Sequence, residues 1–379
     1  MIMKFVLAPD SFKGSLTAKE VCQAMETGLK KVFPDSDYVH VPMADGGEGT
    51  MQALVDATAG QVMSKTVTGP LGSPVTARFG LLGDKKTAVI EMAEASGLHY
   101  VNAQTRNPLK TTTYGTGELI AAALAYPIER LIIGLGGSAT NDGGAGMAQA
   151  LGIKLLDQNS QSIGFGGGAL AKLTSIDIAD RHPRLDDVEI LLASDVKNPL
   201  CGSQGASHIF GPQKGATLQM VEQLDRNLEH YAQVIKQQLG KQIADTPGAG
   251  AAGGLGAGLL AFTNATIRSG VELVIEMSRL DEQLQQADYC LTGEGGIDAQ
   301  TKFGKTPIGV AHAAQKQQIP VIAIAGRIGD GIDTLYPEGI DAIFGIVQGA
   351  VPLEAALAES KANIIRTCEN IARLIQLQK

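Results

Sequence analysis

The chain has 379 residues, of which 44% are hydrophobic and 18% charged, and its net charge is −8. This composition supplies a sizeable apolar core and excludes an intrinsically disordered chain. The negative charge and the lack of a polybasic run argue against a nucleic-acid partner or an anionic membrane surface. No apolar run reaches the about 18 residues of a membrane span, and the N-terminus lacks a signal-peptide pattern, so we expect a cytoplasmic location.

Glycines number 47 and aromatic residues make up 4% of the chain, a balance typical of α/β proteins with many tight turns. The four cysteines lie far apart and form no CxxC pair, and the six histidines show no HExxH spacing. Neither a disulfide framework nor a zinc site is expected.

The N-terminal segment predicts a βαβα start. Short, mostly apolar runs predict strands, and apolar residues at helical spacing predict the helices between them. Thr17 followed by Glu20 predicts a capping box at the start of the first helix. The predicted elements are strands Lys4–Ala8 and Tyr38–Val41 and helices Ala18–Val32 and Thr50–Ala59.

The middle of the chain has a different pattern. Residues 62–93 alternate in hydrophobicity and are interrupted by GP and GD turns, which predicts antiparallel strands. Further strands are predicted at Leu131–Gly134, Ile153–Leu156 and Glu189–Ala193, and a long helix at Leu218–Leu239.

The C-terminal part returns to buried parallel strands with helices between them. The predicted strands are Asp288–Thr292, Pro320–Ala325 and Ala342–Ile346, and the closing helix is Leu353–Leu377. We therefore expect an α/β fold with two domains. Residues 1–65 and 285–379 would form a Rossmann-like (flavodoxin-like) parallel sheet domain, with a mixed α/β domain, 66–284, inserted into it. Two sequential domains split near residue 180 are the alternative.

The segment from Arg130 to Gly146, RLIIGLGGSATNDGGAG, runs from a strand into a glycine-rich turn. Gly134–Ala139 satisfies GxGxxA, and Asp157 lies where a ribose-binding acid of a dinucleotide enzyme would sit, which keeps an NAD-dependent dehydrogenase as an alternative. A dinucleotide turn feeds directly into a helix, whereas here the polar SATND run comes first. A helix-start turn capped by Asn141 or Asp142 is the structural alternative.

Two other glycine-rich segments carry weaker signals. Gly248–Gly258 matches GxGxxG but follows no strand, so it predicts either a glycine-lined approach to a ligand or a closely packed helix. In Leu291–Gly309 the GKT tail resembles a P-loop, but Ala299 stands where the first glycine is required. What remains is a strand, a glycine turn, acids that can hold Mg²⁺ and cations that can meet phosphate, with solvated loop charges as the alternative.

Three more predicted strands end in loops that carry acids. In parallel sheets the carboxyl ends of the strands are where ligands bind. A kinase acting on an alcohol needs a carboxylate near the attacking hydroxyl, acids for Mg²⁺ and cations for the γ-phosphate. The loops offer Asp10, Ser11 and Lys13; Asp45 and Glu48; and Ser194, Asp195, Lys197 and Asn198.

The motifs APDSFKGSLTA, PMADGGEGT, GLGGSATNDGGAGMAQALG, SDVKNPLCGSQGASHIFGPQKGA, GAGAAGGLGAGL and LTGEGGIDAQTKFGKTPIGVA, together with EMAEASGL and TTTYGTGELI, resemble the bacterial type I glycerate kinases over nearly the whole chain. The resemblance implies a two-domain α/β protein with its active site in the cleft. It also implies that the protein phosphorylates glycerate with ATP and Mg²⁺, giving 2-phosphoglycerate from the R enantiomer. Its partners would be these small molecules, and the chain would be a monomer or a homodimer.

The expected roles follow from the residue chemistry. Asp195, or else Asp45, would accept the proton of the attacking hydroxyl, and Lys13 would neutralise the substrate carboxylate or the transferring phosphoryl group. Glu294 and Asp298 would hold Mg²⁺. Substrate or phosphate contacts are expected from Asp10, Ser11, Ser138, Thr140, Asn141, Lys197 and Arg327, and nucleotide contacts from Gly136, Gly137, Gly293, Gly295, Lys305 and Thr306. Besides the dehydrogenase, a non-enzymatic sensor of a phosphorylated metabolite is the alternative, although a sensor needs donors more than carboxylates.

Overall fold

The computed structural model describes residues 2–377. Its strands are β1 (Lys4–Leu7), β2 (Asp37–His40), β3 (Gln61–Thr68), β4 (Pro74–Leu81), β5 (Thr87–Glu91), β6 (Arg130–Gly134), β7 (Lys154–Leu156), β8 (Ser175–Asp177), β9 (Glu189–Ala193), β10 (Thr266–Arg268), β11 (Tyr289–Ile297), β12 (Val321–Ile328) and β13 (Ala342–Gly345). Its α-helices are α1 (Ala18–Lys30), α2 (Thr50–Thr58), α3 (Ala93–Ser96), α4 (Tyr114–Leu124), α5 (Ala145–Ala150), α6 (Ala206–Phe210), α7 (Leu218–Leu239), α8 (Ala251–Phe262), α9 (Gly270–Ser278), α10 (Leu280–Gln283), α11 (Thr306–Gln315), α12 (Leu353–Ala358) and α13 (Ser360–Leu377).

The chain divides into two compact units by its internal contacts. Unit 1 consists of Met1–Asp45, Gln52–Ala59 and Ser269–Lys379, and unit 2 of Gly46–Met51 and Gly60–Arg268. Both ends of the chain thus contribute to unit 1. The predicted domain bounds at residues 65 and 285 stay a prediction.

Unit 1 contains a five-stranded parallel sheet. Its strand order is β13-β12-β11-β1-β2. Counted along the unit's own strands this is 2-1-3-4-5, the order of flavodoxin-like folds, whose ligand site lies where the order reverses. That reversal falls between β1 and β11, where Val6 pairs with Cys290. The order agrees with the Rossmann-like (flavodoxin-like) sheet expected from the sequence.

Local sequence signals explain how the helices of unit 1 begin and pack. The capping box is confirmed, because Thr17 Oγ1 accepts from the Glu20 amide at 3.3 Å and Glu20 Oε2 accepts from the Thr17 amide at 2.9 Å. Helix α1 packs closely on α13, since a Cβ on Gly28 would lie 2.3 Å from the Ile365 carbonyl oxygen. A glycine is therefore required at this crossing.

Two C-terminal strands are longer than predicted, and the closing helix is interrupted. The glycine turn expected after Thr292 is wrong, because β11 continues to Ile297 and pairs with β12 at Gly296 and Arg327. Gly293 lies inside this pairing, where a Cβ would meet the Ile324 carbonyl oxygen at 2.3 Å. The predicted helix Leu353–Leu377 is two helices, α12 and α13, which end and begin on either side of Glu359.

Unit 2 contains a six-stranded mixed sheet in the order β10-β9-β6-β5-β4-β3. The first four of these strands are parallel, and β3 and β4 are antiparallel, as predicted for residues 62–81. The predicted alternation is wrong for β5, because all five of its residues are buried. Both faces of β5 are covered by packing against the sheet, with Ala88 and Ile90 in a core that also contains Leu119 and Ala123 of α4. The strand predicted at Ile153–Leu156 pairs only with β8, in a separate two-stranded sheet.

The helices of unit 2 show two kinds of sequence control. Helix α7 has the predicted bounds, with Thr217 capping its start and Gly240 at a φ of 70° ending it. The glycine-rich helix α8 is kinked near its start, where Ala252, Gly253 and Gly254 have left-handed backbone angles. A Cβ on Gly253, whose φ is 67°, would lie 1.9 Å from the Thr140 carbonyl oxygen. Of the two alternatives for this segment, the structure therefore shows the closely packed helix. Within residues 2–377, no helix combines the length and apolarity needed to cross a membrane.

Candidate active site

A cavity of about 410 Å³ lies in unit 1 at the carboxyl ends of its parallel strands. It includes residues that follow β1, β2 and β13 and residues in the last part of β11 and β12. This is the strand-order reversal at which ligands bind in open α/β sheets. Its charged lining residues are Asp10, Lys13, Asp45, Glu294, Lys305 and Arg327.

Asp10 is the most buried of the acids in this cavity, with 5% of its surface exposed. Its Oδ1 accepts from the Ser11 amide at 2.6 Å, and its Oδ2 accepts from the Thr306 hydroxyl at 2.7 Å. Burial, and then the nearby Asp45 carboxylate, raises the pKa of Asp10. The residue is therefore fixed in place and electrostatically coupled to a second acid.

Glu294 occupies the edge of the same cavity. Its Oε2 lies 3.2 Å from Lys305 Nζ, and its Oε1 accepts from the Thr301 hydroxyl at 3.1 Å. Burial raises the pKa of Glu294, and the Lys305 ammonium opposes that shift. Lys305 thus holds Glu294 in the cavity and keeps part of its own surface exposed.

Three carboxylates and three cations consequently share one cavity. Lysine and arginine side chains bind phosphate oxygens through charge-assisted hydrogen bonds, and paired carboxylates suit a hard divalent cation. Such a set can hold a polyanionic ligand together with Mg²⁺. The sequence analysis named all six charged residues as site residues, and the structure brings them together.

The glycine-rich turn after β6 lies in unit 2 and is divided between exposed and buried residues. Gly136 and Gly137 are exposed, whereas Ser138, Thr140 and Asn141 are buried. The Ser138 and Thr140 hydroxyls bond each other at 2.9 Å, and Asn141 Nδ2 donates to Ser207 Oγ at 2.9 Å. Ligand contact by these three side chains stays a prediction.

Asp142 joins this loop to the start of α4 through hydrogen bonds. It is fully buried, and its carboxylate accepts from the Thr113 amide at 2.8 Å and from the Thr113 hydroxyl. Burial raises the pKa of Asp142. The amides of Gly144 and Gly146 also donate to it, at the start of α5. The structure shows a helix-start turn, but the predicted N-cap at Asn141 or Asp142 is wrong, because the N-cap of α5 is Gly144.

Lys214 is a residue that the sequence analysis missed. It is 2% exposed, and its Nζ donates to the Thr140 carbonyl oxygen at 2.6 Å. Burial lowers the pKa of Lys214 to about 7, and the nearby Asp142 opposes that shift. Its motif, GPQKGA, contains no apolar run that would predict a buried position.

Two other strand ends in unit 2 carry acids. Asp195 and Lys197 follow β9 and are exposed. Glu91 ends β5, is 8% exposed and accepts from the Met51 amide at 2.8 Å. Burial raises the pKa of Glu91 to about 7. The sequence analysis did not name Glu91, although an acid at the end of a strand in EMAEASGL was the available signal.

The remaining predicted residues have structural partners. Asp298 does not line the cavity, because its Oδ1 accepts from the Gln300 amide at 2.8 Å and caps a short 3₁₀ helix. Gly293 is buried within β11, whereas Gly295 lines the cavity. Over residues 2–377, no three His, Cys, Asp or Glu side chains form a metal-binding group. A metal here would need oxygen ligands from a bound phosphate as well.

Asp157, the acid that the dinucleotide-enzyme alternative needs for ribose binding, is engaged elsewhere. Asp157 Oδ1 accepts from the Asn159 amide at 2.8 Å and from the Gln161 amide at 3.0 Å, which places it in a tight turn. A second cavity, of about 690 Å³, lies in unit 2 between Cys201, Asp225 and Lys236. It contains none of the predicted site residues, so the cavity of unit 1 is the candidate active site.

Comparison with known proteins identifies the chain's relatives. The model of the glycerate kinase family matches residues 5–376. A glycerate kinase of Haemophilus influenzae is 55% identical, covering 98% of this chain and 99% of the relative. A glycerate 2-kinase of Escherichia coli K12 is 53% identical, with 99% and 98% coverage. The solved structure of a candidate glycerate kinase 2 from Salmonella typhimurium LT2 superposes with a TM-score of 0.91 at 49% identity, covering 99% of both chains. The chain therefore belongs to the glycerate kinase family of enzymes.

Proposed function

We propose that this chain transfers the γ-phosphoryl group of ATP, with Mg²⁺, to the 2-hydroxyl of (R)-glycerate and forms 2-phosphoglycerate. The observation that carries the proposal is the cavity of unit 1, where three carboxylates and three cations line the carboxyl ends of the strands. The printed name of the Escherichia coli relative, glycerate 2-kinase, supports the choice of hydroxyl.

The cations divide into two proposed roles. Lys13, with help from Arg327 or Lys197, would neutralise the glycerate carboxylate or the transferring phosphoryl group. Lys305, anchored 3.2 Å from Glu294, would meet the nucleotide phosphates. Gly136, Gly137 and Gly295 are exposed residues, and their backbone amides would be further donors to phosphate oxygens.

The residues of the cavity fit a magnesium ion. Glu294 and Asp45 offer carboxylate oxygens in one cavity, and Mg²⁺ in phosphoryl-transfer sites is held by one or two carboxylates plus phosphate oxygens. When bound, the ion would neutralise charge on the phosphate oxygens. Asp298 would act through water or not at all, because its carboxylate caps its own turn.

The general base is assigned to Asp195, with Asp45 as the alternative. Asp195 is exposed after β9, and Asp45 lines the cavity that also contains Lys13. A carboxylate that accepts the hydroxyl proton contributes about 10²–10⁴ to the rate. The two assignments therefore differ by which asparagine variant loses kcat.

A coupled assay tests the reaction and the base together. D-Glycerate and Mg·ATP are supplied with enolase but without phosphoglycerate mutase, and phosphoenolpyruvate is recorded. We expect product with the wild type, and a loss of about 10²-fold or more in kcat for Asp195→Asn. Asp157→Asn is the matched control. It should keep the wild-type rate, because the side-chain oxygen of asparagine can still accept hydrogen bonds from the same two backbone amides.

Each other outcome has a defined meaning. If Asp195→Asn keeps its kcat, Asp195 is not the base. Asp45 is then the base if Asp45→Asn loses kcat and keeps the wild-type dependence on Mg²⁺. If ATP is consumed but phosphoenolpyruvate does not form, a different hydroxyl is phosphorylated. An equal rate of ATP consumption with L-glycerate contradicts the assignment of the R enantiomer as the substrate. Ligand binding without ATP turnover in the wild type would favour the sensor.

A further inference from the structure

The cavity of unit 1 has a second group of lining residues, and these carry no charge. Ile346 and Val347 follow β13, and Leu353, Ala356 and Leu357 belong to α12. We call these five residues the apolar wall. Leu353 is 72% exposed although it is large and hydrophobic. Glycerate is a small anion whose carbons all carry oxygen, so it has no apolar surface that could pack against this wall.

The apolar wall is held by the loop that carries the charged residues. Ser15 Oγ donates to the Leu357 carbonyl oxygen at 2.7 Å. Ser15 lies two residues after Lys13, so the β1–α1 loop contacts both parts of the cavity. The wall and the cations are therefore kept at a fixed spacing within one unit.

The wall offers little for hydrogen-bond recognition by side chains. Ser360 is the polar residue beside it, and its hydroxyl donates to the Ala356 carbonyl oxygen at 2.9 Å. Its proton is thus engaged within the helical turn. Side-chain contact with a ligand would be made by aliphatic groups, which suit the face of a flat ring.

We propose that the apolar wall receives the base of the nucleoside triphosphate, whose phosphates lie toward Lys13, Lys305 and Arg327. The charges and the cavity volume of about 410 Å³ both fit a ligand with one flat apolar end and one polyanionic end. This inference rests on the proposed function only in taking ATP as the phosphoryl donor. It adds the base-binding surface and predicts that the triphosphate contributes more to affinity than the identity of the purine.

The test compares a ligand that has a base with one that lacks it. Binding of ATP and of inorganic tripolyphosphate is measured by calorimetry for the wild type and for Leu353→Ala. Removing three carbons of an exposed wall residue should weaken ATP by about five- to tenfold and leave tripolyphosphate unchanged. Leu353→Phe restores a large apolar surface and should bind ATP as the wild type does. GTP should bind the wild type within about threefold of ATP.

The control variant is Leu374→Ala on α13, whose parent residue is 53% exposed and outside the cavity. It should change neither affinity. The proposal that the apolar wall binds the base is overturned if Leu353→Ala leaves the ATP affinity unchanged. It is also overturned if Leu353→Ala weakens the binding of ATP and of tripolyphosphate equally. A raised KM for glycerate with unchanged ATP affinity overturns it too and places the acceptor there. Absence of both ATP binding and turnover in the wild type contradicts the proposed function instead.

Discussion

At the scale of single residues, burial of acids and bases matters more than their number. Glu91 in unit 2 and Asp10 in unit 1 both have a raised pKa, first of all because burial penalises the charged form. Glu91 accepts the Met51 amide and thereby holds the chain that follows Gly46. Its position at the end of β5 makes it a group whose charge state affects stability directly.

Glu91→Gln should change how stability depends on pH. The pKa of Glu91 is about 7 in the folded chain and about 4.5 when unfolded, so the folded state binds more protons between these values. Stability of the wild type therefore falls as pH rises through this window, by up to about 3 kcal/mol from this group. Glutamine still accepts the Met51 amide but does not titrate, so the variant lacks this loss.

Urea unfolding at pH 5 and pH 8 checks this prediction. The wild type should lose stability relative to Glu91→Gln at the higher pH. Glu129→Gln, an exposed glutamate paired with Lys86, serves as the control and should follow the wild type at both pH values. Identical pH profiles of wild type and Glu91→Gln would show that Glu91 is solvated in the folded chain.

At the scale of elements, α8 depends on glycine for both conformation and space. Gly253 has a φ of 67° and packs against the backbone of Thr140. Thr140 lies in the glycine-rich turn, where Asp142 accepts from the Gly144 amide. Two penalties apply to any side chain at Gly253: the left-handed backbone, about 1–2 kcal/mol, and the contact itself. The helix and the glycine-rich turn are therefore packed as one element pair.

Gly253→Ala should destabilise the protein far more than Gly72→Ala. Gly72 also has a positive φ, 86°, but a Cβ there meets no atom within 4 Å. The Gly72 variant incurs the backbone penalty alone, whereas the Gly253 variant adds overpacking worth about 1–3 kcal/mol or more. Thermal unfolding of both variants measures the difference. Equal losses would mean that α8 shifts freely away from Thr140.

At the scale of the whole molecule, ligand binding should stabilise the folded chain by mass action. A ligand at 100 times its Kd adds about 2.7 kcal/mol when it binds only the folded state. Mg·ATP should therefore raise the unfolding temperature, and NADH at the same concentration should not, because Asp157 is engaged in its own turn. Thermal scans with each ligand make the comparison. Stabilisation by NADH instead of Mg·ATP would favour the NAD-dependent dehydrogenase over the kinase.

The sequence predicted much of the fold because its signals are local. The long helix predicted at Leu218–Leu239 is observed with those bounds as α7, and the capping box predicted from Thr17 and Glu20 is present. These features depend on residues within a few positions of each other. The motifs also led to the glycerate kinase family, which the comparisons show.

Distant pairing explains what the sequence could not predict about the elements. The glycines of β11 predicted a turn because glycine is common there, but pairing with β12 keeps the segment extended to Ile297. In β5, burial of both faces comes from elements packed on the sheet, such as α4, whose Leu119 shares a core with Ile90. Neither partner lies within the window that a local pattern covers.

For the site, the sequence by itself determined the candidate residues, and the tertiary structure decided which of them meet. Asp10 and Thr306 are 296 positions apart, yet their side chains are 2.7 Å apart. The fold placed the charged residues of the strand ends around one cavity of unit 1, added the apolar wall of α12, and buried Thr140 and Asn141. The type of a residue determines which chemistry its side chain can perform. Its partners and its exposure depend on strand order and on packing between segments far apart in the chain.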